Sequence, residues 1–246
     1  MFDVKNNLGV QSYCFRHFTA VPDLLSQIKA LGLTRTEVCR IHIDFNDESK
    51  FAGILGQFKA AGIAISSIGV QTFRGDPAEE KWFEFAKLAG CRMIAMSFDL
   101  KALPTVIPAT EKLAEKYDML LGIHNHGGYN WLGNFDMVSH ILSNSGPRLG
   151  LCLDTAWCLQ SGEDPMKWAE KLNAKFFSAH IKDFTFDRAG KWTDVIVGTG
   201  NLKLKEFLAV ASAAPKMTAL TLEYEGDITN PGPALKECVE AVKGTA

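Results

Sequence analysis

Four apolar runs in the second half of the chain end in side chains that can bind a metal or move a proton. MLLGIH ends in His124, with His126 two residues on. RLGLCLD ends in Asp154, KFFSAHI carries His180, and MTALTLEYE carries Glu223 and Glu225. Imidazole nitrogens and carboxylate oxygens are the donors that suit Mn²⁺, Zn²⁺, Co²⁺, Fe²⁺ or Mg²⁺. The same groups serve as general acids and bases. Singly, each has an ordinary explanation: a strand-end histidine hydrogen-bonds its neighbours, and the Asp of LCLDT caps a loop or the next helix. Four on successive strands are harder to explain that way, because a buried polar group costs free energy unless it is paired or coordinated. Side chains two apart on a strand share a face, so His124 with His126, and Glu223 with Glu225, offer two inward candidates each.

Such a set converges only if the strands end at one place. Eight β-type runs, at 8–13, 35–39, 63–70, 92–98, 119–124, 148–154, 175–181 and 217–225, alternate with helical patterns. The helical segments are 22–32, 48–62, 77–90, 105–117, 134–144, 164–172, 201–213 and 231–243. Pro22 opens the first and Gly32 closes it, the usual asymmetry of helix ends. Apolar strands each followed by a helix imply a parallel sheet covered by helices. Eight units in about 250 residues is the size of a (β/α)₈ TIM barrel, whose active site lies at the C-terminal strand ends. The pattern predicts one α/β domain over 1–246, with a doubly wound open sheet as the alternative that periodicity cannot separate. Segment 183–201 is long for a loop between strand and helix, and its β-type residues around AGKW predict a small hairpin over the strand ends.

Other residues carry weaker signals. Glu37 closes the second strand and faces the same mouth, or pairs with Arg35 or Arg40. Lys182, after His180, could stabilise a developing oxyanion or pair with Asp183. GTGN (198–201) precedes a helix and could bind phosphate through backbone N–H groups, but it lacks the third glycine of a dinucleotide fingerprint. A plain loop–helix junction explains it better. Trp131, Trp157 and Trp192 fall in predicted loops at the mouth, where they either stack on a sugar or pack the loop. Cys14 and His17 have no visible partner for a nucleophilic pair.

Composition narrows the classes. The chain is 47% hydrophobic and 22% charged, with a formal charge of −2, an ordinary globular balance. No basic block marks a nucleic-acid face, no run approaches a membrane span, and the first residues lack a secretory pattern. Six widely spaced cysteines without a C-x-x-C pair read as reduced thiols. These features predict a cytoplasmic protein with neither nucleic-acid nor membrane partners, and leave a homo-oligomer open.

Over nearly its whole length the sequence resembles the sugar phosphate isomerase/epimerase superfamily, the xylose-isomerase-like barrels. GIHNHGG, LGLCLDTAWCLQSGEDP, SAHIKDF, VGTGNLKLKEF and LTLEYEG carry the resemblance, which extends to the D-tagatose 3-epimerase and inosose dehydratase branches. Ketose epimerases of the group hold one divalent metal with Glu, Asp, His and Glu from strands five to eight, the glutamates doubling as acid–base catalysts. The resemblance therefore implies Asp154, His180 and Glu223 as ligands. It departs at strand five, where His124 stands in place of Glu and takes the first ligand position, leaving His126 as substrate contact or acid–base group. The expected function is a divalent-metal-dependent isomerase, epimerase or related lyase acting on a sugar, keto-sugar or cyclitol through a metal-stabilised enediolate. Glu223, His126, Lys182 and Glu37 are its catalytic candidates. The rival readings are a metal-dependent hydrolase and a non-catalytic sugar-binding barrel.

Overall fold

The structure is a computed structural model describing residues 1–246. Ten strands form, numbered in chain order: β1 (Leu8–Gln11), β2 (Arg35–Val38), β3 (Ala64–Phe73), β4 (Met93–Phe98), β5 (Leu120–His124), β6 (Leu149–Asp154), β7 (Phe176–Ile181), β8 (Asp183–Phe186), β9 (Trp192–Val195) and β10 (Ala219–Leu222). Eight close a barrel in the order β1-β10-β7-β6-β5-β4-β3-β2, every neighbouring pair parallel. The open-sheet alternative is thereby excluded: Leu8, Gly9 and Val10 of β1 pair with Leu220, Thr221 and Leu222 of β10. The remaining two strands, β8 and β9, make the antiparallel hairpin expected around AGKW.

Helices follow the barrel strands, and their ends obey local chemistry. The helices Phe51–Ala61 and Glu80–Ala89 stop at Gly62 and Gly90, whose left-handed φ values of 70° and 74° suit glycine. Two expected strands are shorter than their apolar runs. After Gln11 the chain turns into a 3₁₀ segment, Ser12–Phe15, because the Gln11 side chain accepts from the Tyr13 N–H. The last barrel strand is confined to Ala219–Leu222, although the Glu223 N–H still donates to Ile181 O. Two short α-helices escaped the sequence reading, Val4–Asn7 before β1 and Thr155–Gln160 directly after β6. No helix is long and apolar enough to cross a membrane.

The main apolar core lies between barrel and helices, and a small separate cluster of Met93, Ala95, Cys152 and Phe177 fills the barrel below the mouth. Gly150 makes room for it. A methyl group there would overlap the Lys175 carbonyl oxygen and the Phe177 ring. Gly150→Ala is therefore expected to cost about 1–3 kcal/mol, as overpacked cores do. A urea midpoint equal to wild type would show that the interior has slack.

Candidate metal centre

β5, β6, β7 and the residue after β10 deliver His124, Asp154, His180 and Glu223 to one point. One ligand atom from each lies within 4.8 Å of all the others. His124 Nε2 is 3.1 Å from His180 Nδ1 and 3.6 Å from Asp154 Oδ2, and His180 Nδ1 is 3.0 Å from Glu223 Oε2. Asp154 and His180 are almost wholly buried, whereas His124 and Glu223 reach the cleft above. Asp154 divides its oxygens. Oδ1 accepts from the Trp157 N–H at 2.8 Å and caps the helix 155–160, while Oδ2 is buried with no hydrogen-bond partner. The capping explanation is thus true of one oxygen only. An orphaned buried carboxylate oxygen facing two imidazole nitrogens and a second carboxylate fits a divalent cation.

Other side chains hold this geometry. Across the barrel, Glu37 Oε1 accepts from His180 Nε2 at 2.9 Å and from Gln11 Nε2 at 2.5 Å, and Ser67 donates to its other oxygen. The ion pair with Arg35 or Arg40 does not form. With Nε2–H given to Glu37, His180 would turn an Nδ1 lone pair to a cation once its second proton is displaced, the usual role of a carboxylate behind a ligating histidine. Burial opposes charge on His180, but Glu37 foremost outweighs it and holds the imidazolium well above its ordinary pKa. Burial likewise opposes ionisation of Glu223. Lys182 and His180 outweigh it and hold the carboxylate well below the usual range. Asn125, fully buried, locks β5 to β6: its Nδ2 donates to Asp154 O at 3.0 Å and its Oδ1 accepts the Asp154 N–H at 2.8 Å. Sequence reading missed Asn125, Gln11 and Ser67. Asn125 lies just past the end of β5, and its bonds are to Asp154, 29 residues away in sequence.

The alternation rule fails once the strands end. β5 stops at His124, and His126 lies apart from the four-ligand cluster. His126 is exposed, its ring stacked on Trp157 with centroids 4.3 Å apart, and it lines the cleft. Glu225 likewise leaves the cluster and pairs with Lys182 and, at 3.1 Å, with Arg16. Lys182 does not bond Asp183. Its fully buried ammonium contacts Glu225 and, at 3.5 Å, Asp194 from β9. Burial pushes the Asp194 carboxyl up to about 7, against the pull of Lys182. Asp183 instead accepts backbone N–H groups from Gly198, Gly200, Asn201 and Leu202. The GTGN donors are therefore spent on an internal carboxylate, which is why the loop is a junction and not a phosphate cradle. Cys14 is fully buried, and burial, with Glu223 adding to it, pushes its thiol far above the ordinary range, unlike a nucleophile. Of the tryptophans, Trp157 lines the cleft, Trp192 stacks on Phe184 at 4.6 Å, and Trp131 packs against Phe98.

Above the cluster opens a cleft of about 1070 Å³, bounded by β1, the loop after β2, β3 and β4 on one side and by His126 and Trp157 on the other. A closed parallel barrel with a cluster of His, Asp and Glu side chains at its C-terminal mouth defines the class. The chain belongs to the xylose isomerase-like TIM barrel family, whose model matches residues 25–244. Among solved structures, a xylose isomerase-like TIM barrel protein from Mycobacterium smegmatis, in complex with magnesium, superposes with a TM-score of 0.80 at 14% identity over 100% of this chain and 98% of that one. A probable 3-DHS dehydratase, AsbF, from Bacillus anthracis superposes with a TM-score of 0.76 at 16% identity over 96% and 98%. In sequence, 93 residues are 30% identical to 3-oxo-isoapionate decarboxylase of Pectobacterium atrosepticum. That match spans 36% of this chain and only 33% of the relative.

Proposed function

We propose that the protein is a divalent-metal-dependent enzyme that moves a proton beside a carbonyl of a sugar, keto-sugar or cyclitol, as an isomerase, epimerase or related lyase. The observation that carries this reading is the convergence of four ligand atoms within 4.8 Å at the floor of a cleft, one of them a buried carboxylate oxygen with no other partner. His124, Asp154, His180 and Glu223 would hold the ion. A divalent cation so held supplies Lewis acidity to adjacent carbonyl and hydroxyl oxygens and makes the neighbouring C–H more acidic. Glu223, ionised and open to the cleft, accepts that proton. Glu37 keeps His180 in register. His126, on the lip of the cleft, is the second acid–base group. Lys182 is not among the residues lining the cleft, so it acts through its field, keeping Glu223 ionised and favouring a developing oxyanion.

The fate of the proton sets the product. Return to the neighbouring carbon isomerises, return to the same carbon epimerises, and loss of a β-substituent eliminates. The dehydratase and decarboxylase among the similar proteins support keeping the lyase branch. Six buried, unpaired cysteines fit a reducing cytoplasm.

Metal analysis of the purified protein, joined to a screen for solvent-deuterium incorporation into keto-sugars, tests the reading. The expected result is about one divalent ion per chain, the stoichiometry of a single four-ligand site, and exchange at the carbon next to the carbonyl. Protein that stays metal-free with added Mn²⁺, Co²⁺ and Zn²⁺ would refute it. Solvent ¹⁸O in the product would make it a hydrolase instead, and an intact ligand without exchange a binding protein. The strand-five histidines give a sharper contrast. His124→Ala should lose the metal, and His126→Ala should keep it and lose activity; the opposite pattern would exchange their roles.

A further inference from the structure

Gln71 on β3 is 5% exposed, and its side-chain Nε2 is buried without a hydrogen-bond partner, yet the residue lines the cleft. The other deep polar groups near it are engaged. Gln11 and Ser67 donate to Glu37, and Asn125 is tied to Asp154. A buried amide donor left unpaired is costly, so it is retained where something else satisfies it. Its place is informative. Contacts run from Glu223 through His180 and Glu37 to Gln11, whose Nε2 also reaches the Gly69 carbonyl at 3.4 Å. In the closed barrel β3 stands opposite β7, and through Met96 of β4 Gln71 is level with Ile123 of β5. It therefore faces the cleft from the wall opposite His180.

The surroundings define what it would bind. Tyr13, Thr72 and Ser97 add neutral hydrogen-bonding groups to the same wall. The charged residues there balance, Arg40, Arg74 and Lys81 against Asp44, Asp76 and Glu79. A carboxamide both donates and accepts, as a hydroxyl does. We propose that Gln71 is a specificity residue whose carboxamide binds a hydroxyl at the far end of the substrate, and that the substrate is an uncharged polyhydroxy compound and not a sugar phosphate. This rests on the functional reading above, since the near end is taken to sit at the four-ligand cluster.

The test uses Mn²⁺ alone, then xylitol, on wild type, Gln71→Leu and the length-matched Gln71→Met, each checked for an unchanged melting transition. Both variants are expected to bind Mn²⁺ like wild type. Calorimetric titration of xylitol into the loaded proteins should show at least about tenfold weaker binding to the variants, as when a site built for a hydroxyl loses its partner. D-Xylulose should bind wild type more tightly than its 5-phosphate. A crystal of the wild type soaked in xylitol should place a hydroxyl within hydrogen-bond distance of the Gln71 carboxamide. Equal xylitol affinity in all three proteins, no xylitol binding to wild type, or preference for the phosphate overturns the proposal and leaves the metal reading standing. Failure to take up Mn²⁺ overturns the metal reading, and Gln71 is then judged by the same xylitol ratio in the metal-free proteins.

Discussion

Glu223→Gln is expected to lower turnover by about 10²–10⁴, the usual contribution of a general base. The side chain sits just past β10, with one oxygen 3.0 Å from His180 Nδ1 and its body against the cleft. Glutamine keeps the shape and one oxygen able to ligate, so metal binding should weaken without vanishing. What disappears is the basic oxygen that accepts the proton. Solvent-deuterium exchange into the substrate should fall together with turnover. A variant that exchanges deuterium at the wild-type rate would eliminate Glu223 as the base and pass the role to His126, which also lines the cleft. Glu37 is a poor substitute, because its oxygens are engaged by His180, Gln11 and Ser67 deep in the barrel.

How much of this could be read beforehand depends on the range of the interaction. The barrel strands were legible because each is a local apolar run, and the hairpin because its residues alternate locally. Closure was not, since an open sheet has the same periodicity; only the β1–β10 pairing decides it. The four candidate ligand residues were picked out by type and by position at strand ends, and the structure brings them together. The two oxygens of Asp154 were not separable, because capping and ligation both call for an aspartate after a strand. Pairings across the barrel were out of reach. Glu37 meets His180, 143 residues away, and Lys182 meets Asp194 on a hairpin whose placement no local pattern specifies. The alternative that paired Lys182 with Asp183 was, by contrast, open to a local objection, because neighbours in sequence on an extended chain point to opposite faces.

Asp154→Ala and His180→Ala are expected to abolish metal binding while the barrel stays folded. Each loses a donor from a four-ligand set, which should weaken affinity by more than the roughly 10–100-fold typical of a lost outer partner. Asp154→Ala also removes the cap on the helix 155–160, costing about 1 kcal/mol. Asp154→Asn separates the two effects. Its oxygen can still cap the Trp157 N–H, while an amide replaces the orphaned Oδ2. Metal loss with an unchanged melting transition would then assign ligation to Oδ2 alone. His180 adds a dependence on pH with a definite sign. Glu37 and its neighbours hold the metal-free imidazole protonated above its ordinary pKa, and a cation must displace the proton on Nδ1. Affinity for Mn²⁺ should therefore rise with pH, by about tenfold per unit for one released proton, until pH passes the raised pKa and the slope flattens. Glu37→Gln should lower that pKa and move the flattening to lower pH. Calorimetry across pH with Mn²⁺ as titrant reads both. Affinity independent of pH would show that no proton leaves His180 when the ion binds, and full Mn²⁺ binding by Asp154→Asn would remove Oδ2 from the ligand set.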